Sequence, residues 1–568
     1  MGKLHPYLND FFLIQHRINT SIFSPEDFSA DDQLISRTAE HFVKQEVIPQ
    51  LSLIEQHNYE AVIELFRKSG ELGLLSIEIP EAYGGLSMDK KISGLVAEKM
   101  GFGGSFSVSF NIHAGVGTLP YIYFGTEQQK SKYLPLLGSG EWIGAYALTE
   151  PSAGSDALNA KSTAVLTEDG SWRLSGEKQW ITNAKIADVF VVFARTNKGM
   201  TAFIVEKSYE GVSIGQEEKK RGIKGASTAA VIFEDVIIPA DNVLGEVGKG
   251  HHVALNILNL ARLKLASSNI GMAKQALQLA VQYGKERKQF NKPIINFPMI
   301  QEKIANMAIT IFASESAAYR TAGQLDDALN QTENNEQISE ILSKFAMECA
   351  VNKVYCSEML DAVVDESVQI HGGNGYMKDY DIERLYRDAR INRIFEGTNE
   401  INRLTIAKMI VKDFQLNHSL LTETNRDEIS KANKQYILSA IQLLNKALNV
   451  LSDSQTNINQ EQGKARLVAD IVKDLYIMES SFLRTEQVLK RNGKESEAEI
   501  IQLMTDVICE EGYRKIEAAA ISIIAATENN EEKKKCLLAE IQKMPIPVYR
   551  NLLIKKQKIA ESVIDRLR

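Results

Sequence analysis

The fold is decided by the stretch VFVVFARTNKGMTAFIV, residues 189–205. Two runs of aliphatic and aromatic residues, Val189–Ala194 and Thr201–Val205, stand on either side of Asn197-Lys198-Gly199, and this pattern predicts a β-hairpin. Further short runs of the same kind fill the chain from about residue 144 to 245. Because they do not alternate with long helical segments, they predict a mostly antiparallel β-domain, and a Rossmann arrangement is not expected.

On both sides of these strands the apolar residues recur at helical spacing. The pattern before them breaks at Pro80 and at Gly84-Gly85, and the pattern after them continues to the end of the chain. We therefore predict an α+β fold that is mostly α. Its four domains are an N-terminal helical domain (1–143), a β-domain (144–245), a helical bundle (246–414) and an additional C-terminal helical domain (415–568).

The composition excludes several classes of protein. The chain has 568 residues, of which 44% are hydrophobic and 24% charged, as in folded soluble domains. Its net charge of −8 argues against a nucleic-acid partner. The four cysteines contain no CxxC pair, so we predict neither a disulfide scaffold nor a metal site. Without a membrane-length apolar run or a signal-peptide pattern, the sequence predicts a cytoplasmic protein, with peripheral contact at the inner face of the membrane as a further hypothesis.

Several common nucleotide and catalytic motifs are incomplete or absent. Gly372-Gly373-Asn374-Gly375 does not complete a GxGxxG loop after a predicted strand, and no GxSxG motif occurs. What remains is a set of polar and aromatic clusters that a simple fold would not require. These clusters are Tyr146–Asp156, Trp180–Asn183, Arg287–Phe290, Gln369–Tyr376 and Arg393–Glu400.

In this order and spacing the five clusters resemble the acyl-CoA dehydrogenases, flavoenzymes that introduce an α,β double bond into acyl-CoA thioesters. The resemblance covers about residues 35–412, and the long C-terminal addition is similar to that of the very-long-chain subgroup. It implies the family architecture, in which the bundle has four helices, and FAD as the cofactor. It also implies an acyl-CoA substrate, an electron-transfer flavoprotein as redox partner, and a homodimer.

The resemblance places the catalytic base at Glu396, within Phe395-Glu396-Gly397-Thr398. A carboxylate beside apolar surface is a stronger base, because desolvation disfavours its charged form. From the residues alone, a solvated acid before a helix capped by Thr398 is the simpler interpretation. Some relatives carry the glutamate just before the arginine near residue 260, where this chain has Ala261 before Arg262.

The resemblance also assigns the FAD and substrate contacts. Tyr146, Leu148, Thr149 and Ser155 match flavin-ring contacts, and Trp180 and Thr182 match the residues that cover the ring. Arg287, Gln289 and Phe290 match the pyrophosphate and adenine contacts of one subunit, and Gln369, Gly372 and Gly373 match a segment that approaches the same FAD from the neighbouring subunit. Thr398 and Glu400 match further FAD contacts, and Ser155, Asn259 and Arg262 match substrate contacts. The chain departs from the family at Asn291, where glycine is common, and at Asn259, where several relatives have aspartate.

Structural alternatives stay open for these residues. Trp180 could be a core residue, Ser155 part of an ordinary turn, and Arg287 a basic helix end. Ala114, Gly115 and Gly117 lie where the family's acyl tail enters, but small residues also permit close helix packing.

The sequence thus predicts FAD-dependent dehydrogenation of long-chain acyl-CoA to trans-2-enoyl-CoA in fatty acid β-oxidation, with electrons passed to an electron-transfer flavoprotein. One alternative is an acyl-CoA oxidase that uses O₂, and another is a non-catalytic assembly protein that retains the fold.

The C-terminal domain carries a hypothesis of its own. An apolar stripe from Ile437 to Leu451 and a tail from Ile541 to Arg568, with seven basic and two acidic residues, suggest that it sets a dimer and contacts a membrane surface. The alternative is that the stripe is core packing.

Overall fold

The fold was obtained as a computed structural model, which describes residues 21–332, 335–417, 432–491, 495–544 and 550–567. The N-terminal segment that lacks a signal-peptide pattern falls largely outside these residues. The predicted break near Pro80 is a short 3₁₀ turn, Glu81–Tyr83, which Gly84 closes at a φ of 81°. The helices of the first domain are α1 (Ala30–Phe42), α2 (Leu51–Glu55), α3 (Tyr59–Glu71), α4 (Lys90–Met100), α5 (Ser105–Ile112), α6 (Leu119–Phe124) and α7 (Glu127–Ser139).

The middle of the chain forms one eight-stranded sheet. Its order is β6-β7-β3-β2-β4-β5-β8, with β1 paired in parallel to β4. The predicted hairpin is β4–β5, which is antiparallel with Thr196 opposite Gly199 at the turn. The strands are β1 (Gly144–Ala147), β2 (Thr163–Leu166), β3 (Trp172–Thr182), β4 (Val189–Thr196), β5 (Gly199–Glu206), β6 (Val212–Glu217), β7 (Thr228–Ile238) and β8 (Val243–Leu244).

The bundle follows, built around the long helix α8. A small hairpin, β9 (Lys288–Gln289) and β10 (Lys292–Pro293), separates α8 from α9. Gly271 of α8 allows a close crossing with α4, since a Cβ there would lie 1.9 Å from the Glu98 carbonyl oxygen. The helices are α8 (Gly250–Glu286), α9 (Pro298–Leu329), α10 (Asn335–Lys344), α11 (Ala346–His371), α12 (Asp381–Ala389) and α13 (Asn399–Asn417).

The additional domain is also helical and shares one continuous apolar core with the bundle. The stripe from Ile437 to Leu451 is buried in this core, so the packing alternative is the one observed for it. The predicted fold class is therefore confirmed, whereas the domain boundaries stay predictions. The helices are α14 (Ala432–Asp453), α15 (Gln462–Lys490), α16 (Glu495–Thr527), α17 (Glu531–Gln542) and α18 (Leu552–Arg566).

Buried ion pairs join this domain to the bundle. Arg320 of α9 is fully buried, with Nη1 2.8 Å from Glu479 of α15 and its guanidinium 4.7 Å from the centre of the Tyr476 ring. Arg484 of α15 reaches back to Glu26 at 2.6 Å. Removing one member of a buried pair leaves an uncompensated charge, so these contacts fix the domain in place.

The basic tail is largely neutralised by acids of α16. Arg550 and Lys555 both pair with Asp506, and Lys556 lies 2.7 Å from Glu511. No helix in the described part of the chain is both long and apolar enough to cross a bilayer.

Candidate active site

Glu396 lies in the turn between α12 and α13, in an unusual backbone conformation. Its φ is 56°, in the left-handed region that non-glycine residues rarely adopt. Its Oε2 atom is buried and has no hydrogen-bond partner among the described residues. Burial raises the pKa of Glu396 to about 7, although the charges of Arg262 and Lys353 act in the opposite direction. The carboxyl group is therefore a base of the strength that proton abstraction near neutral pH requires.

Arg262 of α8 holds this turn from one side. Its Nε donates to the Glu396 carbonyl oxygen at 3.1 Å, and its Nη1 donates to Asn259 Oδ1 at 2.9 Å. Asn259 is fixed in turn by donating to the Leu342 carbonyl oxygen at 3.1 Å. The two predicted substrate-side residues thus lie together beside Glu396.

Lys353 of α11 holds the turn from the other side. Its Nζ donates to the Gly397 carbonyl oxygen and to Asn399 Oδ1, both at 2.7 Å. Asn402 also donates to the Gly397 carbonyl oxygen, at 2.8 Å. The sequence analysis did not identify Lys353. The available signal was a lysine within a largely apolar helical segment, and the structure shows that its neighbours Asn352 and Val354 are buried.

Glu396 lines a cavity with about 40 Å³ of free volume between α5, α8 and the segment before α13. The lining is largely apolar and includes Val108, Ile112, Leu265 and Phe395. Ala261 also lines it, so the position where some relatives carry the glutamate faces the same space without a carboxylate. An apolar chain entering this cavity would pass directly beside the base.

The residues predicted for the flavin ring begin on β1. Tyr146 packs on Phe193 with 5.0 Å between ring centres, and its hydroxyl lies 3.4 Å from the Ala254 carbonyl oxygen. Burial raises the pKa of Tyr146 well above its usual value, and the negative charge of Glu396 makes a smaller contribution in the same direction. The phenol therefore stays neutral. Leu148 is buried, and its carbonyl oxygen accepts from Lys178 Nζ at 3.2 Å.

Trp180 stands at the end of β3, next to Thr149. The amide of Gln179 donates to the Thr149 carbonyl oxygen at 2.9 Å, which brings the two predicted ring segments together. Trp180 is 58% exposed and has a φ of 58°, so the core-residue alternative is not observed. Thr182 ends the strand opposite Thr228.

The next residue, Asn183, ties this strand end to α5. It has a φ of 68°, and its Nδ2 donates to the Ser109 carbonyl oxygen at 3.0 Å. Residues held in left-handed backbone conformations concentrate at functional sites. Trp180, Asn183 and Glu396 all have this conformation, which supports a functional interpretation of the whole group.

The remaining predicted residues near this group are more open. Ser155 is exposed in the loop that follows the Glu150–Ala153 bridge. Thr398 Oγ1 accepts from the Ile401 amide at 3.3 Å and so caps α13, and Glu400 is exposed.

A second group of predicted FAD residues lies at the far end of α8. Arg287, Gln289 and Phe290 are exposed there, and Phe290 is 88% exposed at a φ of 50°. Along the helix axis, Arg287 is about 37 Å from Arg262 at 1.5 Å per residue. Within one chain this corner is therefore remote from Glu396.

The Gln369–Gly373 segment meets the same corner in the same chain. One helical turn before Arg287, the Tyr283 ring stacks on His371 with 4.4 Å between centres, and Asn374 donates to the Tyr283 hydroxyl at 3.0 Å. We expected Arg287 and Gln369–Gly373 to come from different chains. Within one chain the two segments lie at the same corner, so one chain presents both together, and the assignment of each segment to a subunit stays a prediction.

Comparison with known proteins identifies the family of this chain. A probable acyl-CoA dehydrogenase of Bacillus subtilis (strain 168) is 43% identical over 577 residues, 98% of this chain and 97% of that protein. The chain belongs to the acyl-CoA dehydrogenase family. Family models for the acyl-CoA dehydrogenase N-terminal, middle and C-terminal domains match residues 29–141, 145–236 and 248–411, and a second C-terminal domain model matches residues 441–543.

Two further acyl-CoA dehydrogenases are similar to this one. A crystal structure of an acyl-CoA dehydrogenase complexed with FAD from Bacillus anthracis has a TM-score of 0.93 and 42% identity, covering 99% of this chain and 98% of that chain. The mitochondrial very long-chain specific acyl-CoA dehydrogenase of Mus musculus is 38% identical over 394 residues, 66% of this chain and 58% of that protein. The predicted family and its flavin-dependent oxidoreductase class are thus confirmed.

FAD is the cofactor of this acyl-CoA dehydrogenase, and the residues present fit it. Trp180 offers an exposed aromatic face, and the hydroxyl of Thr398 stands at a helix N-terminus. At the remote corner Phe290 is uncovered, and a Cβ at Gly372 or Gly373 would meet nothing within 4 Å. An open glycine backbone beside an exposed arginine and an exposed aromatic ring suits a nucleotide with phosphate groups.

Proposed function

We propose that this enzyme dehydrogenates long-chain fatty acyl-CoA thioesters to trans-2-enoyl-CoA, as in fatty acid β-oxidation. The observation that carries the proposal is Glu396, a buried carboxylate with a pKa raised to about 7 that lines a largely apolar cavity. When bound, FAD supplies the oxidant that accepts the hydride leaving the β-carbon.

Glu396 takes the α-proton in this proposal. Its unpartnered Oε2 leaves one lone-pair position free for a C–H bond of the substrate. The α-carbon electron pair forms the new double bond as the β-hydride departs, so proton and hydride account for both hydrogens lost. Arg262 and Lys353 hold the turn and keep the carboxyl group from becoming fully protonated at neutral pH.

The cleft also excludes water from the reacting atoms. Phe395, Ala261 and Val116 border the carboxyl group, and the neutral Tyr146 phenol adds no competing charge beside it. An apolar lining stabilises a fatty acyl chain by about 0.8 kcal/mol for each buried methylene. The similarity to a very long-chain specific relative supports the same substrate class.

We further propose that FAD is shared between two subunits of a homodimer. One subunit would supply the ring-side group around Trp180 and Glu396, and the partner would supply the corner of Arg287 and Gln369–Gly373. The support is the separation of about 37 Å between the two groups along α8 within one chain. Sedimentation velocity of the full-length holoenzyme should show a dimer, and a monomer with full FAD occupancy would contradict the sharing.

The redox partner in this proposal is an electron-transfer flavoprotein. Stopped-flow mixing with palmitoyl-CoA should bleach the flavin, and an artificial electron acceptor should support turnover much faster than O₂ does. Equal turnover with O₂ would favour the oxidase alternative, and the absence of bleaching would favour the assembly protein. The variant Glu168→Gln, at an exposed acid of the β2–β3 turn, is a matched control for Glu396→Gln.

Peripheral membrane contact is proposed only through the start of α18. Leu553 is 71% exposed there and is followed by exposed Ile554, whereas most of the nearby cations are paired with α16. Binding should then persist at moderate salt, because apolar insertion is not screened. Sedimentation with anionic liposomes tests this, and the variant Leu553→Ser should lose the binding.

A further inference from the structure

A buried group of three charges lies beside the cavity that contains Glu396, and one of its members, Lys264, lines that cavity. Lys264 Nζ is 3.0 Å from Glu78 Oε1, and the Lys90 ammonium contacts the other Glu78 oxygen. Ser93 also donates to Glu78. Although burial acts in the opposite direction, the two lysines lower the pKa of Glu78 to about 2, so the carboxylate stays ionised. Each buried ion carries a desolvation penalty of several kcal/mol, which makes such a cluster unusual beside an apolar pocket.

Lys264 separates two cavities. We call the cavity that contains Glu396 the proximal cavity, and the small cavity behind Lys264, with about 10 Å³ of free volume and lined by Glu78, Val96, Phe110 and Ala114, the distal cavity. Lys264 lines both of them. Its ammonium crosses from α8 to donate to the Ala114 carbonyl oxygen at 3.0 Å.

The distal cavity is too small to hold an alkyl chain as it stands, but its walls would suit one if the Lys264 side chain moved aside. Its other walls are mostly aliphatic and include Leu74, Ile77, Ile79 and Ile122. An acyl tail coming from Glu396 would first have to displace the Lys264 ammonium from Glu78 and from the Ala114 carbonyl oxygen. The Lys264 ammonium is buried and has two polar partners. If an apolar chain displaced it, Glu78 would lose one of its two cations and the ammonium would have no partner, which is energetically costly.

The small residues before α6 differ in how much space surrounds them. The sequence suggested that Ala114, Gly115 and Gly117 make room for the acyl tail. A Cβ at Gly115 would make an ordinary contact, 3.7 Å from Lys264 Cδ, whereas a Cβ at Gly117 would lie 3.0 Å from the Gly144 backbone. Gly117 therefore permits close backbone packing, and Gly115 lies beside the lysine stem.

We propose that Lys264, held by Glu78, closes the inner end of the acyl pocket and sets the longest acyl chain that the enzyme accepts. The proposal rests on the proposed function and makes Lys264 a specificity-determining residue. It also predicts that the wild-type enzyme leaves the distal cavity unused.

Lys264→Met is a suitable test because it removes the group without leaving a bare charge. Glu78 keeps Lys90 and Ser93 as partners, so the three-charge cluster becomes a neutral pair. Methionine is nearly as large as lysine but uncharged and flexible, so an acyl tail can move it aside without breaking an ion pair. One further buried methylene, at about 0.8 kcal/mol, is worth roughly fourfold in kcat/KM. We therefore expect kcat/KM for the longest acyl-CoA thioesters, relative to octanoyl-CoA, to rise about fourfold or more in this variant.

Three control variants test separately the charge at Lys264, the position of the lysine on α8 and the space behind it. Lys264→Arg keeps the cation and should keep the wild-type chain-length limit. Lys285→Met removes an ammonium from the same helix, where it bonds to the carbonyl oxygens of Ile564 and Leu567, and should not change the profile. Ala114→Leu fills the distal cavity and should leave the profile of the otherwise native enzyme unchanged while cancelling the gain in Lys264→Met.

The assay is flavin bleaching and turnover with acyl-CoA thioesters of eight to twenty carbons, using FAD-saturated enzyme. An identical profile in wild type and Lys264→Met overturns the inference, as does a loss of long-chain activity in Ala114→Leu alone. A tenfold preference of the wild type for dodecanedioyl-CoA over lauroyl-CoA would also overturn it, because Lys264 would then bind an anionic chain end. If no acyl-CoA bleaches the wild-type flavin, the proposed function fails instead.

Discussion

Replacing Glu396 by glutamine should inactivate the enzyme and stabilise its fold at the same time. The amide keeps the shape of the side chain but cannot accept the α-proton. Loss of a general base costs on the order of a hundredfold or more in rate. The FAD-saturated variant should therefore bind acyl-CoA without bleaching the flavin on the timescale of the native enzyme.

The gain in stability follows from the pKa of Glu396, which burial raises from 4.5 to about 7. Well below pH 4.5 the carboxyl group is protonated in both the folded and the unfolded chain. Its raised pKa then does not change the free energy of unfolding of the wild type relative to Glu396→Gln. As the pH rises towards 7, the unfolded chain loses this proton first, and folding becomes less favourable. At 1.36 kcal/mol per pKa unit, the wild type should be destabilised by up to about 3 kcal/mol at pH 8 relative to the glutamine variant.

Urea or thermal unfolding of the FAD-saturated proteins at pH 5 and pH 8 measures this difference. Glu396→Gln should exceed the wild type by about 1 kcal/mol or less at pH 5 and by about 3 kcal/mol at pH 8. Glu168→Gln, an exposed control, should stay within about 0.5 kcal/mol of the wild type at both pH values. Normal flavin bleaching by Glu396→Gln would refute the base assignment, and equal stability at pH 8 would refute the claim that burial raises its pKa.

Three further predictions follow from the same contacts. In Lys353→Met the pKa of Glu396 should rise, because a neighbouring positive charge is lost, so the pH at which flavin reduction is half-maximal should move above its wild-type value in stopped-flow measurements. Arg287→Ala should lower FAD occupancy and weaken the dimer together, since a ligand bound across an interface stabilises it, and sedimentation velocity at limiting FAD measures both. Arg320→Leu should destabilise the protein by about 3–5 kcal/mol in urea unfolding by leaving Glu479 buried and unpaired, and Arg320→Leu with Glu479→Leu should recover most of that loss.

The sequence predicted those parts of the fold that depend on local patterns. The β4–β5 hairpin was predictable because two continuous apolar runs and an Asn-Lys-Gly turn are adjacent in the chain. Glu396 was predictable because its motif is contiguous, and Trp180 because an aromatic residue stands in a recognisable cluster. Whether Trp180 was exposed or part of the core was not predictable, since exposure depends on which surfaces the sheet leaves uncovered.

Contacts between distant segments could not be predicted. Lys353 holds the catalytic turn from a helix more than forty residues earlier, and no local pattern connects it to Gly397. The basic tail was counted correctly, but a count of charges does not show that Asp506 and Glu511 lie opposite its lysines. For the same reason the proximity of Gln369–Gly373 to Arg287 within one chain could not be predicted, because only the packing of α8 against α11 places this segment beside Tyr283.

The base strength of Glu396 results from two opposing effects in one small volume. Burial alone would raise its pKa further and leave the carboxyl group protonated at neutral pH, where it could not act as a base. Arg262 and Lys353 limit that rise, and burial in turn lowers the pKa of Lys353 to about 7 even though the Glu396 charge raises it. Because the two groups titrate in the same range and each stabilises the charge of the other, the inflection seen in a pH–rate profile belongs to the pair. Lys353→Arg, which keeps a permanent charge, should therefore give a simpler profile with a lower inflection, and a profile that is unchanged in both Lys353 variants would mean that the pair is not coupled.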